Sequence, residues 1–301
     1  MRWPCLLLSL TLLGAAAPTP TPVVELDAAK RLLPGPGTCE TVECLLEQAY
    51  QSDPQARELA LGLWRSSGDV AGVGPEEVMD GGFRGTIHLV PQLPILGYRK
   101  HLEWVADSTR AVDRFFDALY ENQAKPSYRW RALQFRFVRS LLKHRPSAYA
   151  LGWAIEYNVE GSLNLNAKAV RETLFHELFH VNDDAHGDWS AAHLRDDYQA
   201  ILHKCAPQLS IPCLAPYAPG DTLVRGGTYY AFQQNNGDTV HEYAAELAVR
   251  YFKEQSEMLA AGKLSRRAFK CGRPENARAW AGLVAEFFAG RDLVPACTAT
   301  R

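Results

Sequence analysis

Two hydrophobic periods run along the chain, one near 3.6 residues and one of two, and each predicts its own kind of element. Leu45, Leu46 and Ala49, then Leu59, Leu61 and Leu63, stand at near-helical spacings and predict a helical region over 39–66. Val112, Phe115, Phe116 and Leu119 share one face of a predicted helix over 108–119, with Ser108 as its cap. Residues 86–90 predict a short strand that stops at Pro91. Over 129–145, Leu133, Phe135, Phe137 and Leu141 are interleaved with Arg129, Arg131, Arg136, Arg139, Lys143 and Arg145. That pattern predicts apolar side chains on a core and basic groups in water. Ile155, Tyr157 and Val159 alternate with Glu156, Asn158 and Glu160, the signature of a half-buried strand. Gly161 breaks it, and Leu163 and Leu165 continue a shorter extended piece. Asn166 then caps a helix carrying Ala169, Val170, Leu174, Leu178 and Val181. The glycine-rich stretch 68–85 marks the expected boundary between an N-terminal linker and helical region, 18–70, and the main domain, 71–301.

Composition narrows the class. With 47% hydrophobic and 22% charged residues, the chain carries enough apolar surface to offset the entropy of ordering, which excludes a disordered protein. A balance of 32 basic and 34 acidic residues leaves a net charge of -2 and no field to attract nucleic acid. Arg2, an apolar run over 5–13 and small residues over 14–17 read as a signal peptide over 1–17, so the protein is expected to be secreted or periplasmic. No other stretch is apolar for long enough to span a membrane. Of seven cysteines, Cys5 lies in the signal, and the remaining even set suits disulfides. Pairing of sequence neighbours predicts 39–44, 205–213 and 271–297, and none has the C-x-x-C spacing of a thiolate metal site.

The chemistry sits on the helix after Asn166. His176-Glu177-Leu178-Phe179-His180 is an H-E-x-x-H motif, in which residues i and i+4 put two imidazoles one turn apart on one face. Both reach a single Zn2+ ion, and Glu177 projects beside the ion, placed to take a proton from water. A catalytic zinc needs a third protein ligand, and two residues are candidates. His186 stands ten residues after His176, the spacing of a metzincin, but Asp183 occupies that pattern's glycine position. Glu242 lies in a second helical segment, 241–248, with Glu246 four residues on to orient a ligating histidine. Ala244, Ala245 and Ala248 suit close packing of this segment on the H-E-x-x-H helix, which favours Glu242 over His186.

H-E-x-x-H followed far downstream by E-x-x-A-E, with Asp183-Asp184 after the first motif and Tyr230-Ala231 before the second, resembles the gluzincin metallopeptidases. Over residues 150–260 it looks like the catalytic domain shared by anthrax lethal factor and the Pro-Pro endopeptidases. The resemblance implies an α+β, zincin-like fold: a small twisted sheet with an edge strand beside the active-site helix, and a second helix bringing the third ligand. It implies His176, His180 and Glu242 as zinc ligands, Glu246 as the group behind a ligating histidine, and Tyr230 as the hydrogen-bond partner of the tetrahedral intermediate. Tyr229 and Tyr243 are alternatives for that last role, because the interval from Tyr230 to Glu242 is longer than the family's.

The expected function is therefore zinc-dependent hydrolysis of peptide bonds, with Glu177 as general base and then general acid. An extended peptide substrate is expected along the edge of strand 155–160. The alternatives are an exported protein that binds zinc without turnover, and a metzincin-like peptidase using His186.

Overall fold

The structure is a computed structural model that describes residues 23–33, 35, 38–81, 85–121, 123–126, 128, 131–224, 227–233 and 239–297. The expected signal peptide lies outside the described residues. Three helices come first: α1 (Leu26–Leu32), α2 (Val42–Ala49) and α3 (Pro54–Ser67). The predicted helical region over 39–66 is thus two helices. Asp53 separates them because its carboxylate accepts the Ala56 N–H at 3.1 Å and starts α3, with Pro54 in the first turn. Gly68, left-handed at φ 70, ends α3.

Six strands follow in a mixed α/β arrangement with ten α-helices among the described residues. They are β1 (Val70–Val73), β2 (Glu77–Asp80), β3 (Thr86–Pro91), β4 (Gln134–Ser140), β5 (Ala148–Leu151) and β6 (Ala154–Asn158). Helix α4 (Arg99–Tyr120) comes between β3 and β4. It begins well before Ser108, whose hydroxyl donates back to the Trp104 carbonyl at 2.6 Å inside the helix and caps nothing. After β6 come α5 (Ala167–Ala185), α6 (Trp189–His193), α7 (Arg195–Cys205), α8 (Ile211–Leu214), α9 (Thr239–Ala261) and α10 (Pro274–Phe287).

The sheet order is β2-β3-β4-β6-β5, with β1 and β3 successively along the edge of β4 opposite β6. β6 runs parallel to β4, and β5 closes the sheet antiparallel to β6. The strand expected to be an edge is therefore central. It ends at Asn158 and is buried throughout, because its polar residues have partners. Arg136 Nη1 donates to Glu156 Oε1 at 3.2 Å, and Asn158 Nδ2 donates to Ser140 Oγ and the Pro146 carbonyl at 2.8 Å each. The terminal strand on that side is β5, which the hydrophobic pattern did not predict. Leu163 and Leu165 lie exposed in turns and form no strand. The segment 129–145 supplies β4, with Leu133, Phe135 and Phe137 buried, while Leu141 is exposed and Arg136 turns inward to Glu156.

Phe135 and Ile155 meet Val112 of α4 and Leu174 and Leu178 of α5 around one small apolar cavity, which puts the H-E-x-x-H helix flat on one face of the sheet. One buried apolar cluster reaches from Val24 through α1, α2 and α3 to Val294. On the opposite face the β2–β3 hairpin curls over, and Ile87, Leu89 and Val138 form a second small cluster with Met79 and Tyr149. The Tyr149 hydroxyl donates to Glu77, joining β5 to β2 and curling the sheet.

All three predicted disulfides are present: Cys39–Cys44, Cys205–Cys213 and Cys271–Cys297. They fit an oxidising, exported environment. Among the described residues, no helix is long and apolar enough to cross a membrane.

Burial pushes the Glu156 carboxyl up to about 7, against the downward pull of Arg136. The folded protein then keeps a proton that the unfolded chain, with its carboxyl near 4.5, releases. The contribution of Glu156 to stability is thus fully present below about pH 4.5 and is lost as pH rises through about 7. Relative to Glu156→Gln, the wild type is expected to lose on the order of 3 kcal/mol across that window. Urea unfolding of both proteins at a series of pH values measures the difference.

Candidate metal centre

Asn166 starts α5 as its sequence position predicts: its side-chain oxygen accepts the Ala169 N–H at 3.0 Å. The face that α5 turns to α9 is set by close packing. Ala244, Ala245 and Ala248 of α9 are fully buried and let the two backbones approach. Phe175 stacks on Phe252 with ring centroids 4.6 Å apart, and Phe115 of α4 closes edge-on against Phe252 at 4.8 Å. Lys253 of α9 reaches Glu172 of α5 at 2.8 Å. This lock places His176 and His180 opposite Glu242 and Glu246.

The Nε2 atoms of His176 and His180 are 3.1 Å apart. Glu242 Oε2 lies 3.0 Å from His176 Nε2 and 3.7 Å from His180 Nε2. A tetrahedral ion held at about 2.0–2.1 Å by three such atoms would separate them by about 3.3–3.4 Å, so the observed edges bracket that value. His176, His180 and Glu242 are the one group of three or more His, Cys, Asp and Glu residues among those described that could hold a metal ion.

The electrostatics agree with the geometry. Burial opposes charge on His176, yet the Glu242 and Glu246 carboxylates outweigh it and raise the imidazole well above its usual range. Glu242 is itself held below the carboxylate range: burial resists its charge, but the hydrogen bond with His176 and the charge of both imidazoles prevail. Surroundings that favour positive charge so strongly favour a bound cation as well. Glu246 Oε1 stands 3.3 Å from His176 Nδ1, the ring nitrogen facing away from the cluster, and so turns Nε2 towards the ion site.

Glu177 is buried beside this cluster, and burial pushes its carboxyl up. It lies near the backbone N–H of Ala150 in β5, which points out of the sheet. The ladder to β6 alternates, and Asn158 N–H bonds to the Ser147 carbonyl, so Ala148 and Ala150 present their backbone groups away from β6.

The tyrosine alternatives separate cleanly. Tyr230 lies with its ring 5.8 Å from the His176 ring. Tyr243 is fully buried against Tyr198 and Phe232, and Tyr229 bridges to Leu223 and packs on the core. His186 does not join the cluster. Helix α5 runs on through Asp183 and Asp184, which carries residue 186 about 15 Å along the axis from His176. There His186 pairs with Glu286 at 2.7 Å and packs on Phe287. Asp183 spends its carboxylate on the N–H and hydroxyl of Ser190.

Sequence reasoning missed Gly220, which lies against Glu246. A missing side chain leaves no signal in a single sequence.

The zinc affinity of the metal-free protein, measured by chelator competition, is expected to fall more than about 100-fold in His176→Ala, His180→Ala and Glu242→Ala. His186→Ala is expected to stay within about two-fold of wild type. No family model, no curated protein and no solved structure matches this chain.

Proposed function

We propose that this protein is an exported zinc endopeptidase of the gluzincin type, with a zincin-like fold around the α5–α9 pair. One observation carries the reading: the His176, His180 and Glu242 ligand atoms lie within 4.8 Å of one another, and the buried carboxyl of Glu177 stands beside them on the same helix. His176, His180 and Glu242 would hold the ion, and Glu246 would keep His176 turned towards it. A zinc ion bound there would act as a Lewis acid, polarising a peptide carbonyl and acidifying a water.

The remaining chemistry belongs to the chain. Glu177 accepts the proton of the attacking water at its carboxylate while the water oxygen bonds to the carbonyl carbon. It then delivers that proton to the amine nitrogen as the C–N bond breaks. Tyr230 donates its hydroxyl to the oxygen on which negative charge develops. An extended peptide lies along β5, where the Ala148 N–H and C=O and the Ala150 C=O face outward. Main-chain pairing there holds a substrate in register whatever its sequence.

Glu177→Gln is expected to keep its zinc and lose about 10²–10⁴-fold in kcat/KM on a peptide library. Tyr230→Phe is expected to lose about 10²–10³-fold with zinc content unchanged. A fully zinc-loaded wild type that cleaves no peptide would instead identify a binding protein without turnover.

A further inference from the structure

The chain after α8 passes against a carboxylate of the candidate metal centre. Gly220 lies directly against Glu246: a Cβ placed on Gly220 would come within 1.8 Å of Glu246 Oε2 and 3.0 Å of its Cδ. Glu246 Oε1 in turn stands 3.3 Å from His176 Nδ1. Loop backbone, carboxylate and imidazole therefore form one line of contact. The backbone conformation does not call for glycine, because Gly220 is not among the positive-φ glycines. Space is what calls for it.

The segment is anchored on both sides of this contact. Before it, the Cys205–Cys213 disulfide ties the chain to the end of α7, and Leu214 is fully buried. Asn276 of α10 donates to the Pro216 carbonyl at 2.9 Å, and Tyr217 packs between Lys204 and Arg273. After it, Asp221 pairs with Arg266 at 3.1 Å, and the Thr222 carbonyl accepts the Tyr230 N–H at 2.8 Å. A chain pinned this way does not retreat from a carboxylate that presses on it.

We propose that Gly220 is a positioning residue of the metal centre: its missing side chain lets the anchored loop backbone seat against Glu246 and hold that carboxylate on His176 Nδ1. The proposal rests on the reading of His176 as a metal ligand. It makes the stretch 216–222 a wall of the site. The same segment delivers Tyr230 to the His176 ring, so one loop sets both the group behind a ligand and the hydroxyl beside it.

The atoms that a Cβ at Gly220 would displace are the far end of a flexible side chain, so Gly220→Ala moves the carboxylate and spares the fold. The test is a Zn2+ titration of the full metal-free chain against a chelator, alongside its thermal unfolding. Gly220→Ala is expected to weaken Zn2+ binding about 10–100-fold, as Glu246→Ala does, with the metal-free Tm within about 2 °C of wild type. Adding Gly220→Ala to Glu246→Ala is expected to change affinity by less than about two-fold, because both act through one carboxylate. Gly220→Ala with Glu246→Asp, one methylene shorter, is expected to recover part of the loss. Wild-type affinity in Gly220→Ala, losses that multiply in the double variant, or a fall in Tm that Glu246→Ala does not relieve would each overturn the proposal. A wild type that binds no Zn2+ would overturn the metal centre itself, a result distinct from all of these.

Discussion

The close approach of α5 and α9 is the constraint on which the site depends. Two imidazoles on one helix offer two ligands, and the third arrives only if the partner helix lies near enough and in the right register. A slip of one turn, about 5.4 Å, would carry Glu242 out of reach of both Nε2 atoms. Alanines at 244, 245 and 248 set the spacing, and the stack of Phe175 on Phe252 sets the register. Phe175 is the residue immediately before His176, so the packing that stabilises the core also aims the first ligand.

The sheet supplies what the helices lack. α5 lies on the face formed by Phe135 and Ile155, which brings Glu177 under the outer strand β5. Burial there keeps the affinity of its carboxylate for a proton high. Three carboxylates, Glu177, Glu242 and Glu246, thus surround two imidazoles in a largely buried setting. Each has different surroundings: the backbone of β5 for Glu177, the imidazole Nε2 atoms for Glu242, and the far nitrogen of His176 for Glu246.

What the sequence disclosed follows from the range of the interactions. The H-E-x-x-H pair, the Asn166 cap and the three disulfides depend on residues close in the chain, and all were legible. Glu242 was legible as well, through the small residues around it that make close helix packing the natural reading. The strand 155–160 was misjudged because Glu156 and Asn158 look solvent-facing until Arg136 and Ser140 are seen beside them. Strand β5, only Ala148–Leu151, is too short to show a period. His186 had the right spacing for a ligand but the wrong geometry, since α5 does not turn at Asp183.

The most direct measurement is an anomalous-difference map from a crystal of the zinc-loaded protein, recorded at the zinc absorption edge. The account predicts a single strong peak about 2.0–2.1 Å from Nε2 of His176 and His180 and from a Glu242 carboxylate oxygen. Density elsewhere, or Glu242 turned away with no other side chain in its place, would contradict it.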